Sequence, residues 1–248
     1  MSGRMLKIGL HCHSVWSYDG YWSLPKLSRF FGRLGYDAVM MTEHDTGFDP
    51  ADWSRYEAAC QAASMEGCRL VPGIEYSSPD NDIHIVTWGL DRFLAEHRPV
   101  VETLQRVKEE GGVAVFAHPA RRDAWRRFDP EWTGLLDGME LWNRKTDGVA
   151  PGREAEQLIG QTGLFPMVGM DFHRLRHFWP LHHTIETPHD SEPEIGEAAV
   201  AAIRAGRAAP YALGTPLLDA SGQLRSALHS RLEGIRRSLR GRRPRRRP

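Results

Sequence analysis

Cysteine is scarce. Cys12, Cys60 and Cys68 are the only three in 248 residues, they form no CxxC pair, and their number is odd. Neither a disulfide framework nor a thiolate zinc site follows from such a set, and a reducing cytoplasm is the compartment it fits. Long apolar runs are missing too: no uninterrupted segment approaches the roughly 20 residues that span a bilayer, so no membrane association is expected. Met1 to Leu10 lacks the apolar run of a signal peptide, and a soluble, unexported protein is expected. Net charge is also absent, with 32 basic residues against 32 acidic ones. The balance is uneven along the chain. Arg236, Arg237, Arg240, Arg242, Arg243, Arg245, Arg246 and Arg247 stand in an acid-free tail, and without them 24 basic residues face 32 acidic ones. An acidic body suits cation binding better than nucleic-acid wrapping. The tail reads either as a flexible solubilising end or as a contact for an acidic partner, nucleic acid included.

What is present is ordinary for a globular chain: 41% hydrophobic and 26% charged residues, enough to bury one sizeable core at this length. Short apolar runs that read as buried strands lie at Leu6–Leu10, Ala38–Thr42, Leu70–Ile74, Ile83–Trp88, Val113–Ala117, Gly138–Leu141 and Met167–Met170. Helical patterns alternate with them at Leu24–Leu34, Ala51–Glu66, Pro99–Glu110, Arg153–Thr162 and Pro193–Ala205, several stopped by glycines such as Gly35, Gly67, Gly111 and Gly163. The alternation predicts an α/β fold with parallel strands in a single domain. No fixed-period repeat appears, and a helix-compatible stretch at Leu224–Leu239 precedes the tail. Residues 1–220 are therefore expected to form the functional domain and 221–248 a helix-compatible segment with a flexible basic end.

The chemistry-bearing residues follow the apolar runs. His11 and His13 close the first strand, and alternation along an extended backbone points both imidazoles to one side. The second run leads into Met-Thr-Glu-His44-Asp, the third into Gly-Ile-Glu75, the fifth into Ala-His118-Pro and the seventh into Gly-Met-Asp171-Phe-His173. In a parallel barrel the carboxyl ends of the strands converge on one rim, so ligands distant in sequence become neighbours. Imidazoles and carboxylates without thiolates suit catalytic zinc, manganese or iron. His84 lies inside an apparent strand, and Asp19 in Tyr-Asp-Gly has a turn role as competitor. His97, His177, His182, His183, His189 and His229 read as surface residues, with His177 and His182 near the rim. Arg121 and Arg174 follow His118 and His173 closely enough to lean over the rim and grip phosphate oxygens, a surface ion pair being the alternative.

The segments HCHSVWSYDG, MMTEHDTG, GIEYSS, DIHIVTWG, FAHPAR, GMELWN and VGMDFHR, in that order, resemble the PHP superfamily of polymerase and histidinol phosphatase domains. The resemblance spans His11 to about His173, with a departure at Glu43, where aspartate is usual. It implies a distorted (β/α)7 barrel and two or three divalent metals. His11, His13, Glu75 and Asp171 look like ligands of one metal, Glu75, His84 and His118 of a second, and Asp19, His44 and His173 of a third.

On this reading the chain is a phosphoesterase acting on a phosphomonoester of a small molecule or nucleotide, or on a short oligonucleotide, through a metal-bridging hydroxide. Glu75, His118, Asp171 and His173 are expected to carry catalysis and Arg121, Arg174 and Asn143 to bind substrate. A metal-bound water or a rim acid such as Asp45 or His173 is the candidate proton donor to the leaving alcohol, and Arg144 and Lys145 add positive charge for an anionic substrate. Hydrolysis of a C–N or C–O bond at the same metals, and a non-catalytic metal- and nucleic-acid-binding module, are the alternatives.

Overall fold

The computed structural model describes residues 3–187 and 194–241. In chain order it contains β1 (Arg4–Cys12), α1 (Leu24–Arg33), β2 (Ala38–Met41), β3 (Glu43–His44), α2 (Trp53–Ser64), β4 (Arg69–Val71), β5 (Gly73–Ser77) and β6 (His84–Trp88). There follow α3 (Val100–Glu109), β7 (Val113–Phe116), β8 (Gly138–Asn143), α4 (Arg144–Asp147), α5 (Arg153–Thr162), β9 (Pro166–Gly169), β10 (Leu181–Thr187), α6 (Ile195–Arg204), β11 (Ala209–Ala212), β12 (Thr215–Pro216) and α7 (Ala227–Gly241). The α/β alternation expected from the sequence is present. The strands form two six-stranded sheets, β12-β11-β10-β1-β2-β4 and β3-β5-β6-β7-β8-β9.

This arrangement differs from a ring of parallel strands. The expected run Leu70–Ile74 divides between the sheets at Pro72, whereas Ala38–Thr42 stays with β2 and the other sheet begins just beyond it, at β3. Proline has no N–H for the ladder, which ends β4 where the chain crosses over. Strand β6 runs antiparallel to β5 and β7, and β10 antiparallel to β1. The turn over residues 78–83 is too short for the crossover that a parallel neighbour needs. The sheets approach each other again beside β1: Met170 N–H donates to Leu10 O at 3.0 Å, Phe172 N–H to His11 O at 3.1 Å and His13 N–H to Phe172 O at 2.8 Å. The carboxyl ends of β1 and β9 are thereby neighbours.

Between the sheets Leu6, Ile8, Met40, Trp88, Val113 and Met167 pack into one buried cluster with Ala199, Ala202 and Ile203 of α6. Helix α6 touches β2, β4, β7 and β10. The outer helices bury single faces, as α1 does with Leu24, Leu27 and Phe31 at helical spacing.

Several histidines expected at the surface are instead buried. The polar-looking run Leu181–Thr187 is β10, where His183 accepts the Val168 N–H at 3.1 Å and His182 stacks on Tyr211 at 5.1 Å. His229 of α7 packs on Trp142 at 5.0 Å, and Glu233 accepts the Val149 N–H at 3.0 Å. The described part of 221–248 is thus docked on the body rather than loose. His189, Pro193, Arg242, Arg243, Arg245, Arg246 and Arg247 lie outside the described residues. No helix among the described residues is long and apolar enough to cross a membrane.

Candidate metal centre

Strand ends build the site through unusual backbone. His11 (φ 62°), His118 (φ 31°) and Asp171 (φ 48°) all adopt left-handed conformations, each costing a non-glycine residue about 1–3 kcal/mol. A bulge between Leu10 and Cys12 accompanies the first of them. Strain held at three strand ends that face one another is a mark of function rather than of packing.

Glu75 is the hub. Its Oε1 lies 2.7 Å from both His84 Nδ1 and His118 Nε2, and its Oε2 lies 3.1 Å from His44 Nδ1, 3.3 Å from His13 Nε2 and 3.5 Å from His11 Nε2. Asp171 Oδ1 lies 3.8 Å from His11 Nε2, 3.7 Å from His13 Nε2 and 3.2 Å from His173 Nδ1. Asp19 bridges His44 Nε2 at 3.2 Å and His173 Nε2 at 3.0 Å. All nine ligands implied by the resemblance therefore belong to one cluster. Apart from the half-exposed Asp19 they are buried.

Charge follows from this crowding. Burial favours a protonated Glu75, but the imidazoles of His84, His11 and His118 outweigh it and hold the carboxyl well below the usual range. Burial also opposes a charged His44, yet Asp19 and Glu75 hold its imidazole up to about 10. His13, by contrast, is pushed well down by burial and by His173 and His44.

The donor set fits metal ions. His11 Nε2 and His13 Nε2 are buried and make no hydrogen bond although both face Glu75. Such orphaned atoms cost about 1–3 kcal/mol each unless something else engages them. Among the described residues three groups each bring ligand atoms within 4.8 Å of one another: His13, His44 and His173; His11, Glu75 and His118; and His11, His13 and Asp171. The groupings differ in detail from the sequence expectation, since His11 joins Glu75 and His118 while His84 turns its Nε2 to Asn81 Oδ1 at 2.7 Å.

A second layer orients these ligands. Glu140, buried on β8, accepts from His11 Nδ1 at 2.7 Å, from the His118 N–H at 2.7 Å and from Asn143 Nδ2 at 2.9 Å. Gly169 permits that approach, because a Cβ there would overlap Glu140 Oε1. Glu43 accepts from Ser14 Oγ at 2.6 Å and Ser17 Oγ at 2.5 Å, and Ser17 Oγ lies 3.2 Å from His13 Nδ1. Glutamate at this position thus steers His13 from behind. In the sequence Glu140 is marked by being a charge in the otherwise apolar run Gly138–Leu141.

The expected substrate contacts fare differently. Arg121, half-buried, donates to Asn81 O at 3.0 Å beside His84, and the Arg174 guanidinium lies over Tyr21 at 4.2 Å. Asn143 is fully buried: its Oδ1 caps α4 at Thr146 N–H (3.0 Å) and its amide serves Glu140, leaving no face for a substrate. Asp45 is likewise committed, accepting the N–H groups of Ser77 at 2.9 Å and His97 at 3.0 Å, so it is no rim acid. Lys145 enters the cluster instead, its Nζ 3.2 Å from both Asp171 Oδ1 and His173 Nε2.

No family model matches the chain. An uncharacterized protein of Methanocaldococcus jannaschii is 25% identical over 159 residues, which are 58% of this chain and 86% of that protein. Among solved structures, a two-domain protein of Bacteroides vulgatus containing a predicted PHP-like metal-dependent phosphoesterase is 19% identical, with a TM-score of 0.64 over 87% of this chain and 66% of its own. The lesion-specific endonuclease Q of Pyrococcus furiosus is 14% identical, with a TM-score of 0.58 over 87% of this chain and 58% of its own. The chain thus spans about two thirds or less of these two larger proteins. The resemblance read from the sequence holds at the level of fold.

Proposed function

We propose, from the premise of a fold shared with PHP-like metal-dependent phosphoesterases, that this chain is a PHP-type phosphoesterase cleaving a phosphomonoester of a small molecule or nucleotide. The observation that carries the reading is the convergence of Glu75, Asp171, Asp19 and six histidines at the strand ends, with buried imidazole nitrogens left unpaired. The two sheets read as the halves of a distorted barrel, with residues 1–220 as the functional unit. Two or three divalent ions, zinc, manganese or iron, would be held by the three ligand groups, and Glu75 touches members of each. Bound there, such ions supply Lewis acidity toward phosphoryl oxygens and lower the pKa of water.

The chain's own residues do the rest. Glu75 spaces the imidazoles, and Glu140 fixes the ring of His11. Lys145, Arg121 and Arg174 offer cations at the rim to the phosphoryl oxygens, with bidentate geometry open to the arginines. Asp19 and Lys145 hold the Nε2 edge of His173, whose ring belongs to one of the groups that would hold a metal.

Metal analysis of the purified chain, coupled to a panel of sugar phosphates, nucleotides, histidinol phosphate and short oligonucleotides, tests this. Turnover restored by added metal is expected; turnover of amides or lactones alone would replace the reading, and none with any metal would end it. Loading should also stabilise. Protein with metal at about a thousand times its Kd is expected to melt on the order of 10 °C above chelated protein, a gain checked by calorimetry.

A further inference from the structure

Beside the metal centre lies a cavity of about 430 Å³ walled by α4, the turn Leu175–His177 and α7. Arg144, Lys145, Arg176, His177 and Arg236 line it, and no carboxylate occurs among its described lining residues. It adjoins the centre through Lys145, whose ammonium also meets Asp171 and His173.

The cations come from three elements, and each is held by an identifiable contact. Arg144 Nη2 donates to Arg176 O at 3.4 Å while its guanidinium lies 5.8 Å from the Trp179 ring centre. Arg176 Nε donates to His177 Nε2 at 3.1 Å. Arg236 is oriented by Glu233, the same carboxylate that binds the Val149 N–H and ties α7 to the loop after α4. Gly148, at φ 88°, leaves room for it, since a Cβ there would overlap the Arg236 guanidinium.

Like charges gathered around a cavity repel, and an anion seated among them relieves that repulsion. Planar guanidinium forks match the oxygens of a tetrahedral oxyanion. The guanidinium forks of Arg144 and Arg176, with Lys145 at the border shared with the centre, match the charge and oxygens of a phosphate dianion better than those of a carboxylate. We propose that this cavity is a subsite for a second phosphoryl group of the substrate, completed by Arg236 of the C-terminal helix, so that bisphosphorylated small molecules are preferred. The preference rests on the phosphoesterase reading; the anion site itself does not.

The test uses the metal-loaded full chain with a hexose 6-phosphate and the matching 1,6-bisphosphate, and calorimetric titration of chelated protein with the bisphosphate. A kcat/KM ratio of about ten or more in favour of the bisphosphate is expected. Arg176→Ala and Arg236→Ala should each lower that ratio about ten-fold, through KM, and weaken the calorimetric binding. Arg176 is exposed, so its variant tests the subsite even if Arg236→Ala loosens α7. A ratio near one in the parent, or a ratio and binding unchanged in both variants, overturns the subsite while leaving phosphoester turnover intact. If no phosphoester is cleaved, the phosphoesterase reading and the substrate preference fall together, and the titration alone then judges the anion site: binding weakened in Arg176→Ala sustains it, and unchanged binding overturns it.

Discussion

Glu75→Gln is expected to lower phosphoester hydrolysis on the order of 10³-fold and to cost the protein about one equivalent of bound metal. Residues that merely orient metal ligands are worth 10- to 100-fold in affinity or activity, and a carboxylate that contacts the ligands of every group should be worth more. Both Glu75 oxygens are engaged, one by His84 and His118, the other by His44, His13 and His11. An amide keeps the volume, so no cavity penalty confuses the result, but it removes the charge and one of the two acceptor atoms. Stability of the chelated protein should fall, because the imidazoles that hold this carboxyl ionised lose their counter-charge. The discriminating result is therefore lost turnover and lost metal in a protein that still unfolds in one cooperative transition when chelated. Turnover within about ten-fold of the parent would remove Glu75 from the centre of the site.

The ligands were legible because apolar strands announce their own ends. His11, Glu75, His118 and Asp171 each follow a run of buried residues, and the side to which a strand delivers its last side chains is set by alternation. What was not legible depends on crossing and direction. Pro72 divides one apolar run between two sheets, and nothing in Leu-Val-Pro-Gly-Ile distinguishes that from one continuous strand. Strand β10 was hidden by His182, His183 and Thr184, polar by type yet placed against Tyr211, Val168 and β1. Lys145 lies on a one-turn helix whose direction is set by Asn143, Asp147 and Thr146, contacts no periodicity encodes. Asn143 failed as a substrate contact for the same reason: its amide was already spent as a cap.

Glu140 carries the sharper expectation, because its isosteric amide has a defined failure. An ionised carboxylate only accepts, so His11 Nδ1 must donate to Glu140 Oε1, which leaves the lone pair of His11 on Nε2, the atom that faces Glu75 and Asp171. Oε2 meanwhile accepts from the His118 N–H and Asn143 Nδ2. In Glu140→Gln the single oxygen stays with those two donors, since turning the NH₂ toward them would set donor against donor. The NH₂ then faces His11 Nδ1 and draws the ring into the tautomer that carries its proton on Nε2, where it blocks coordination. Metal affinity is expected to fall about 10- to 100-fold, with hydrolysis falling alongside at limiting metal and recovering in part at high metal. Chelator-competition titration measures the first and a metal-dependence curve the second. Glu140→Asp, which keeps an acceptor on both sides at a longer reach, should retain more affinity than the amide. A variant that melts lower but binds metal as the parent does would make Glu140 a packing residue, and would leave the tautomer of His11 to be set by something other than β8.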